Sequence, residues 1–459
     1  GRVELRVRRP DQTYKRTFIS ALDGSVQYYA INPGRLLPDT TRPALFLSLH
    51  GASVEGIGQA EAYAPKRWGH LVSPTNRRPY GFDWEDWGRW DALEVLDLAT
   101  RALAPDPSRI YLTGHSMGGH GTWNLGVTFP DRFAAIAPSA GWISFFSYAG
   151  SDPFTNATPV EQMLRRAAAS SDTLSMATNY LHQGIYIVHG DADDNVPVRE
   201  ARRMRDELGR FHRDFAWHEQ PGAGHWWENS DEPGAECVDW PPLFEFFARH
   251  RIPSGPEVRQ IQFVTVNPGI SARSHWLGID QQERALVPSA VSAQWDPGLQ
   301  RVIATTDNVR RLILDTAPMQ LPAGASLTVR LDGQELAAKP TPPSRLESNP
   351  STPGAPSWRQ PVRFEKVGDR WQIAGPLPAG HKHSGRSGPF KEAFRHRMLF
   401  VYGTHGTPEE NAWALAKARF DAESFWYRGN GSVDVIPDTE FALESTRDRG
   451  VIVYGHRDL

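Results

Sequence analysis

A serine, an aspartate and a histidine of the types used in nucleophilic catalysis occur in three separate glycine-containing segments. Ser116 lies in the segment TGHSMGG, residues 113–119. A serine hydroxyl is a poor nucleophile at neutral pH, so it requires a neutral imidazole to accept its proton and an anion to orient that imidazole. His225, in the segment GAGHWW, is the candidate base, and Asp193, in HGDADDNVP, is the candidate anion. This set predicts acyl transfer through Ser116.

The acidic segment contains two further aspartates, which remain alternatives. Asp191 and Asp194 stand so close to Asp193 in the chain that one loop could present any of the three. Aspartates also favour turns and helix caps without any catalytic role. The assignment to Asp193 is therefore a prediction to be checked by geometry.

Acyl transfer also requires hydrogen-bond donors for the oxyanion of the tetrahedral intermediate. One donor is usually the backbone N–H of the residue after the nucleophile, which here is Met117. The second is expected from the segment LHGAS, residues 49–53, after an early strand. Ala52 is the predicted second donor, with Ser53 as the alternative.

Several aromatic side chains are near the predicted site in the sequence. Trp84 belongs to a run of tryptophans at three-residue spacing, and Trp226 and Trp227 directly follow the candidate base. Such residues are more often core than binding surface. We nevertheless predict Trp84, Trp226, Trp227 and the neighbouring His115 as substrate contacts.

A mostly parallel sheet is expected to position these loops. Residues 14–251 alternate apolar runs with helical patterns, which is typical of β-α units with helices on both faces of a sheet. The carboxyl ends of parallel strands are where such sheets bind ligands. We expect strands at 44–49, 110–113, 133–137 and 185–188, helices at 91–103, 122–128 and 198–208, and a lid within 142–183, including an amphipathic helix at 160–168.

These segments resemble the α/β-hydrolase superfamily, specifically its prolyl-oligopeptidase-like and feruloyl-esterase-like branches. The resemblance rests on the serine motif, the segment HGDADDNVP and the GHW loop, and covers roughly half of the chain, residues 1–252. It implies an α/β-hydrolase fold, a triad of Ser116, Asp193 and His225, and no cofactor. It also implies export from a bacterial cell, to the periplasm or the extracellular space.

The remainder of the chain has a different pattern. Residues 256–340 alternate apolar and polar positions between turns, which predicts a β-sandwich-like domain, and the Asp-Gly of residues 332–333 predicts a hairpin turn. Residues 341–357 are rich in Pro, Ser and Thr and are expected to form a linker or long loop.

The pattern of residues 358–459 predicts a small α/β segment. We expect a helix at 409–420 and strands at 398–403, 433–436 and 451–455. We expect this segment to be incomplete, because a parallel sheet usually needs further covering helices.

Composition excludes several classes of function. The 50 Lys and Arg residues nearly balance the 53 Asp and Glu residues, so no strong field favours nucleic acid. No apolar run reaches the about 18 residues of a membrane span. The chain opens at Gly1 without an apolar leader, so we expect a processed or trimmed product.

A metal site is not expected. The single cysteine, Cys237, excludes a thiolate cluster. His381 and His383 lie two residues apart, but no carboxylate with diagnostic spacing accompanies them. A surface loop is the simpler interpretation.

Three functions are compatible with the sequence. The first is a carboxylesterase acting on small or carbohydrate-linked esters, of the acetyl or feruloyl type. The second is a serine peptidase, although only 49 residues precede His50 and no pair of glutamates for gripping a peptide amino terminus is evident. The third is a polymer- or partner-binding protein with a vestigial hydrolase domain. The oligomeric state is not predicted.

Overall fold

The computed structural model describes residues 7–149, 157–322, 324–339, 359–378, 380–388 and 390–455. Its largest element is an eight-stranded sheet of order β1-β2-β4-β3-β5-β6-β7-β8. β2 pairs antiparallel with β1 and β4, whereas all pairings from β4 to β8 are parallel. The strands are β1 (Tyr14–Ile19), β2 (Val26–Asn32), β3 (Ala44–Leu49), β4 (Gly69–Ser73), β5 (Ile110–His115), β6 (Ala135–Ser139), β7 (Gly184–Gly190) and β8 (Phe215–Gln220).

Helices cover both faces of this sheet, as the sequence predicted. Every residue of β3, β5, β6 and β7 is buried, which explains why these strands are apolar with little alternation. One core contains Trp87 and Trp123, and the other contains Phe244 and Phe247. The helices are α1 (Gly56–Glu61), α2 (Asp86–Leu103), α3 (Met117–Thr128), α4 (Phe145–Tyr148), α5 (Pro159–Ala168), α6 (Arg199–Leu208), α7 (Glu236–Asp239) and α8 (Pro241–Arg249).

The helix after the serine begins earlier than the sequence predicted. α3 starts at Met117 rather than at residue 122, and two glycines in its first turn are the reason for the difference. Glycine has a poor helix propensity, but a Cβ atom at Gly118 would overlap the Leu49 carbonyl, and one at Gly119 would overlap the Ser139 carbonyl. Close packing against β3 and β6 therefore requires glycine where local propensity disfavours a helix.

Two five-stranded sheets form the predicted sandwich around a separate core that includes Phe263, Trp276 and Phe364. Their orders are β10-β11-β14-β17-β18 and β16-β15-β13-β12-β9. The strands are β9 (Gln260–Thr265), β10 (Arg273–Ser274), β11 (Leu277–Gln282), β12 (Ser289–Asp296), β13 (Arg301–Asp307), β14 (Val309–Asp315), β15 (Leu327–Leu331), β16 (Gln334–Ala338), β17 (Pro361–Val367) and β18 (Arg370–Ala374).

The sandwich extends beyond residue 340, where its end was expected. β17 pairs antiparallel with β14, and β18 pairs with β17, so the assignment of these residues to a C-terminal segment is corrected. Strand pairing across a long chain separation leaves no local sequence signal, which explains the error. The Asp-Gly turn joins β15 and β16, with positive φ at Asp332 and Gly333. The predicted linker, 341–357, lies outside the described residues.

A small parallel sheet completes the fold and shares the core of the first sheet. Its order is β20-β19-β21, and Phe400 on β19 belongs to the same apolar cluster as Trp87 on α2. Trp87 also packs against Phe425, at 5.1 Å between ring centroids, and its Nε1 donates a hydrogen bond to the Phe394 carbonyl at 3.0 Å. The elements are β19 (Leu399–Tyr402), α9 (Pro408–Gly429), β20 (Asp434–Pro437) and β21 (Val451–Tyr454). In the described ranges, every helix is too short or too polar to span a bilayer.

A buried ion pair joins this C-terminal sheet to the first domain. Arg77 Nη2 lies 2.7 Å from Asp23 Oδ2, and both side chains have no exposed surface. The same carboxylate accepts a hydrogen bond from the Ser432 backbone N–H, and Asn430 Nδ2 donates to the Arg77 carbonyl. Three distant parts of the chain therefore meet at one buried charge pair.

We predict that Arg77→Met lowers the free energy of unfolding by roughly 3 to 5 kcal/mol, because it leaves the Asp23 carboxylate buried without its counter-charge. Urea denaturation measures this loss. Arg9→Met is the control, since Arg9 forms an exposed pair with Asp11, and such pairs contribute about 1 kcal/mol or less. Equal stability of the two variants would show that the buried pair is unimportant.

Candidate active site

Ser116 occupies a sharp turn between β5 and α3. Its backbone has φ 58° and ψ −117°, a conformation that is strained for a residue with a side chain. Its N–H donates to the Ser139 carbonyl at 2.9 Å, and its carbonyl accepts from the His120 N–H at 3.0 Å. Ser116 alone among residues 110–129 is not fully buried. The turn therefore presents its hydroxyl at the carboxyl edge of the sheet.

His225 lies between the other two predicted members of the triad. Its Nε2 is 2.8 Å from Ser116 Oγ, and its Nδ1 is 2.8 Å from Asp193 Oδ2. Both distances are those of hydrogen bonds. The structure thus brings all three side chains together, from the loops after β5, β7 and β8. In this arrangement the imidazole can take a proton from the serine while the carboxylate fixes its tautomer.

The Asp193 carboxylate is buried and fully hydrogen-bonded. Its Oδ1 accepts from the backbone N–H groups of Asn195 and Val196, both at 2.9 Å, and His189 Nε2 lies 3.3 Å from its Oδ2. Burial acts to raise the pKa of Asp193, but the hydrogen bonds from His189, His225 and the backbone hold it well below its usual value. The low pKa keeps the Asp193 carboxylate ionised, and an ionised carboxylate is needed to orient the imidazole of His225.

The neighbouring aspartates occupy other positions. Asp191 is exposed, and its Oδ1 accepts from the Gly222 backbone N–H at 2.6 Å, which orders the turn that precedes His225. Asp194 is exposed. Asp193 is the aspartate whose carboxylate contacts His225.

The two predicted oxyanion donors are backbone groups beside the nucleophile. Met117 is the first residue of α3, so its N–H has no partner within the helix. The loop of Ala52 is next to it, since a Cβ at Gly51 would be 3.4 Å from Ser116 Cβ. In the part of the chain that is described, neither the Met117 nor the Ala52 N–H donates to another main-chain group. Both are therefore free to bind an oxyanion, which is the role that we propose for them.

Two of the predicted substrate contacts are inside the protein, which corrects those predictions. Trp84 has no exposed surface, and its Nε1 donates to the His50 carbonyl at 3.0 Å. It therefore supports the loop that carries Ala52 rather than a pocket wall. His115 is buried as well, with its ring 4.8 Å from that of His225, so it supports the base.

The tryptophans that follow His225 differ from each other in exposure. Trp227 is buried against Trp240, at 5.8 Å between ring centroids, so its prediction as a substrate contact is corrected as well. Trp226 is 48% exposed and packs edge-on against His115 at 5.0 Å. Trp226 is thus the predicted aromatic contact that a substrate can reach.

Several groups that hold the site together carried weak sequence signals. Ser139 Oγ lies 3.1 Å from His115 Nδ1 and donates to the Cys237 carbonyl. The backbone donors to Asp193 follow the Asx-turn pattern, in which an aspartate accepts from the N–H two residues on. The segment from Asp193 to Asn195 could have indicated them. Ser139 had no such signal, because its role depends on contacts between distant segments.

A metal site is not evident in the described ranges, where no three His, Cys, Asp or Glu side chains cluster. His383 accepts a hydrogen bond from the Gly385 N–H through Nδ1, as a local cap. His381 is exposed.

Part of the chain is similar in sequence to known proteins. Residues 73–249 match the model of the prolyl oligopeptidase family. The matched residues lie within the first domain, whose mostly parallel sheet with helices on both faces is the fold expected of an α/β-hydrolase. The chain is similar to an uncharacterized secreted protein of Arthroderma benhamiae, with 25% identity over 354 residues, covering 69% of this chain and 36% of that protein. It is also similar to feruloyl esterase B of Talaromyces funiculosus, with 29% identity over 133 residues, or 26% of this chain and 37% of that enzyme.

A similar solved structure is that of a putative dipeptidyl aminopeptidase IV from Bacteroides ovatus, with a TM-score of 0.41 and 15% identity. The match covers 52% of this chain and 36% of that one. This chain therefore spans little more than a third of the length of the proteins compared with it here.

We predict that His115→Gln reduces the loss of stability in acid. Burial, with the nearby His225, lowers the pKa of His115 to about 3, whereas in the unfolded chain an imidazole has a pKa of about 6.5. The unfolded state therefore binds more protons as the pH falls below about 6.5, and stability is lost. By pH 5 this loss is roughly 2 kcal/mol relative to pH 8.

Urea unfolding of the wild type and the variant at the two pH values measures the difference. His405→Gln is the control, because His405 is exposed. If His115→Gln and the wild type lose equal stability between pH 8 and pH 5, His115 is not held neutral by its surroundings.

Proposed function

We propose that this protein is a serine hydrolase, and specifically a carboxylesterase that acts through an acyl-enzyme on Ser116. The observation that carries the proposal is the position of His225, with one ring nitrogen 2.8 Å from the serine hydroxyl and the other 2.8 Å from a buried carboxylate. This geometry also argues against a vestigial hydrolase domain, because a site without selection for catalysis has no reason to keep three such groups aligned.

In the acylation step, Ser116 Oγ attacks the ester carbonyl and its proton passes to His225 Nε2. The Met117 and Ala52 N–H groups stabilise the oxyanion. The imidazolium, stabilised by Asp193, then donates its proton to the leaving alkoxide. The C–O bond breaks, the alcohol leaves, and the acyl group remains on Ser116.

In the deacylation step, His225 removes a proton from water as the water attacks the acyl carbonyl. The second tetrahedral intermediate collapses when His225 returns the proton to Ser116 Oγ. The carboxylic acid leaves, and the enzyme regains its starting protonation state. The complete cycle requires no cofactor.

Carbohydrate-linked esters of the acetyl or feruloyl type are the proposed substrates. The similarity to a feruloyl esterase and the exposed Trp226 ring beside the base support this class, because indole faces suit sugars and aromatic acyl groups. The similarity to a secreted protein supports an extracellular location. A peptidase is the second candidate, since the same groups cleave amides and the matching family model is that of prolyl oligopeptidases.

Removal of the nucleophile tests the proposal. We predict that Ser116→Ala loses at least about 10³-fold in kcat/KM towards a short-chain nitrophenyl ester, because no other group can form the acyl-enzyme. Ser445→Ala, at an exposed serine of the C-terminal segment, is expected to retain wild-type activity. Full ester turnover by Ser116→Ala would exclude the mechanism.

The substrate class is tested with other substrates. Turnover of a dipeptide anilide far above that of the ester would favour the peptidase, and assays on acetylated and feruloylated xylan test the natural substrate class.

The choice among the three aspartates can be tested separately. Asp193→Asn is expected to lower kcat by about 10⁴-fold at neutral pH, because an amide favours the wrong imidazole tautomer. Asp194→Asn is the matched control, and little change is expected from it since its side chain is exposed. An equal loss in both variants would mean that charge in this loop, rather than the contact with His225, determines the activity.

A further inference from the structure

A cavity of about 610 Å³ lies between the first domain and the sandwich. It is lined by residues of α5, by Ser144 and Phe146 at α4, and by Arg284, Leu286, Val287 and Pro288 from the segment that connects β11 to β12. The connecting loop is held in place by Asn308, whose Oδ1 accepts from the Arg284 N–H at 2.7 Å and whose Nδ2 donates to the Arg284 carbonyl at 3.0 Å. The cavity therefore has ordered walls from two domains.

The charge around this cavity is strongly positive. It is lined by Arg165, Arg166, Arg203 and Arg284 but by a single carboxylate, Asp172. None of Arg165, Arg166 and Arg284 forms an ion pair within the described residues. Such a cluster is unusual in a chain with a formal net charge of −3. All four arginines are exposed, so solvent screens their mutual repulsion, but an anion bound among them would be attracted by each of these charges.

The remaining walls limit the kind of anion. Leu174, Leu286, Val287 and Pro288 provide apolar surface, which a small inorganic ion would leave uncovered. An arginine fork matches the two oxygens of a carboxylate. The lining thus suits a carboxylate attached to an apolar or ring-shaped body.

The short helix α4 contacts both the cavity and the loop that carries Asp193. Phe146 lines the cavity from α4, and at the end of the same short helix the Tyr148 hydroxyl lies 3.4 Å from Asn195 Oδ1. Asn195 in turn donates its backbone N–H to Asp193. A ligand in the cavity would therefore lie across α4 from the loop that carries the acid.

We propose that this arginine-lined cavity binds an organic carboxylate with an apolar or cyclic body, either the acidic part of an ester substrate or a separate ligand. Arg165 and Arg284 approach the ligand from the two domains. Binding does not require hydrolysis, so the proposal stands or falls separately from the role of Ser116.

Calorimetric titration of the full chain with naphthalene-2-carboxylate and with the neutral naphthalene-2-carboxamide tests the site. These probes share the same body and differ in charge. We expect the carboxylate to bind at least about tenfold more tightly at low ionic strength, because hydrogen bonds to charged groups contribute most of the selectivity. The double variant Arg165→Gln/Arg284→Gln is expected to lose this tenfold preference and to keep its affinity for the amide.

The control is Arg447→Gln, at an arginine of the C-terminal segment whose side chain is 69% exposed. It removes a positive charge away from the cavity and should leave both affinities unchanged. Thermal unfolding of each variant checks that the fold is retained. Failure of the carboxylate to bind, equal binding of the two probes, or an equal loss of affinity in Arg447→Gln would overturn the proposal.

Kinetics distinguish the two sources of the carboxylate. If it belongs to the substrate, the double variant raises KM for a nitrophenyl hemiglutarate but not for nitrophenyl acetate. If the ligand is separate, both KM values stay unchanged while the binding preference is lost. The titrations are repeated with Ser116→Ala, where binding is expected to persist, so that failure of the esterase proposal is not confused with failure of the cavity proposal.

Discussion

The strained backbone at Ser116 is the constraint on which the candidate site depends. A positive φ at a residue with a side chain costs about 1 to 3 kcal/mol and persists only where the surroundings enforce it. Here steric contacts with the neighbouring backbone enforce this conformation of Ser116. A Cβ at Gly114 would overlap the Gly118 carbonyl, and one at Gly118 would overlap the Leu49 carbonyl, so β3, β5 and α3 approach more closely than other residues allow. This close packing fixes the serine hydroxyl and, in the same step, brings residues 49–53 beside it. The candidate nucleophile and both proposed oxyanion donors are therefore positioned by the same close packing.

The position of the candidate base, His225, depends on a different physical effect, which is electrostatic. Asp193 has a buried carboxylate, and an ion without partners would be too costly to keep there. Two backbone N–H groups and two histidines compensate for the lost hydration, and they also prevent protonation. Because the bonds to Asn195 and Val196 fix one oxygen, the other has a defined direction towards His225. Burial of the neighbouring His115 keeps its ring neutral, so no second positive charge opposes the imidazolium that catalysis would form.

The sequence predicted the elements whose signals are local, and it failed where contacts between distant residues decide the structure. The buried strands, the serine motif and the Asp-Gly turn at residues 332–333 carry their own patterns. The predicted start of α3 was too late because the sequence does not show that the Leu49 and Ser139 carbonyls pack closely against the glycines of its first turn. Trp84 was interpreted as a pocket residue because its spacing cannot tell a solvent-facing indole from one that donates to His50. The sandwich was ended at residue 340 because β17 pairs with β14 across a long stretch of chain.

The C-terminal sheet shows how far such distant contacts reach. The helix α9 packs on this sheet, and the core of the sheet is continuous with that of the first domain. The helix α2 connects the C-terminal segment to α3. Trp87 touches Phe425 from this helix, and two residues earlier Glu85 accepts from the ring of His120, at 3.2 Å. His120 lies on α3, one turn after Ser116, and its own backbone N–H bonds the Ser116 carbonyl. The C-terminal segment thus packs against the helix that also holds the base of the nucleophile turn. Loss of that packing would leave the indole of Trp87 uncovered and loosen the end of α2 from which Glu85 reaches α3.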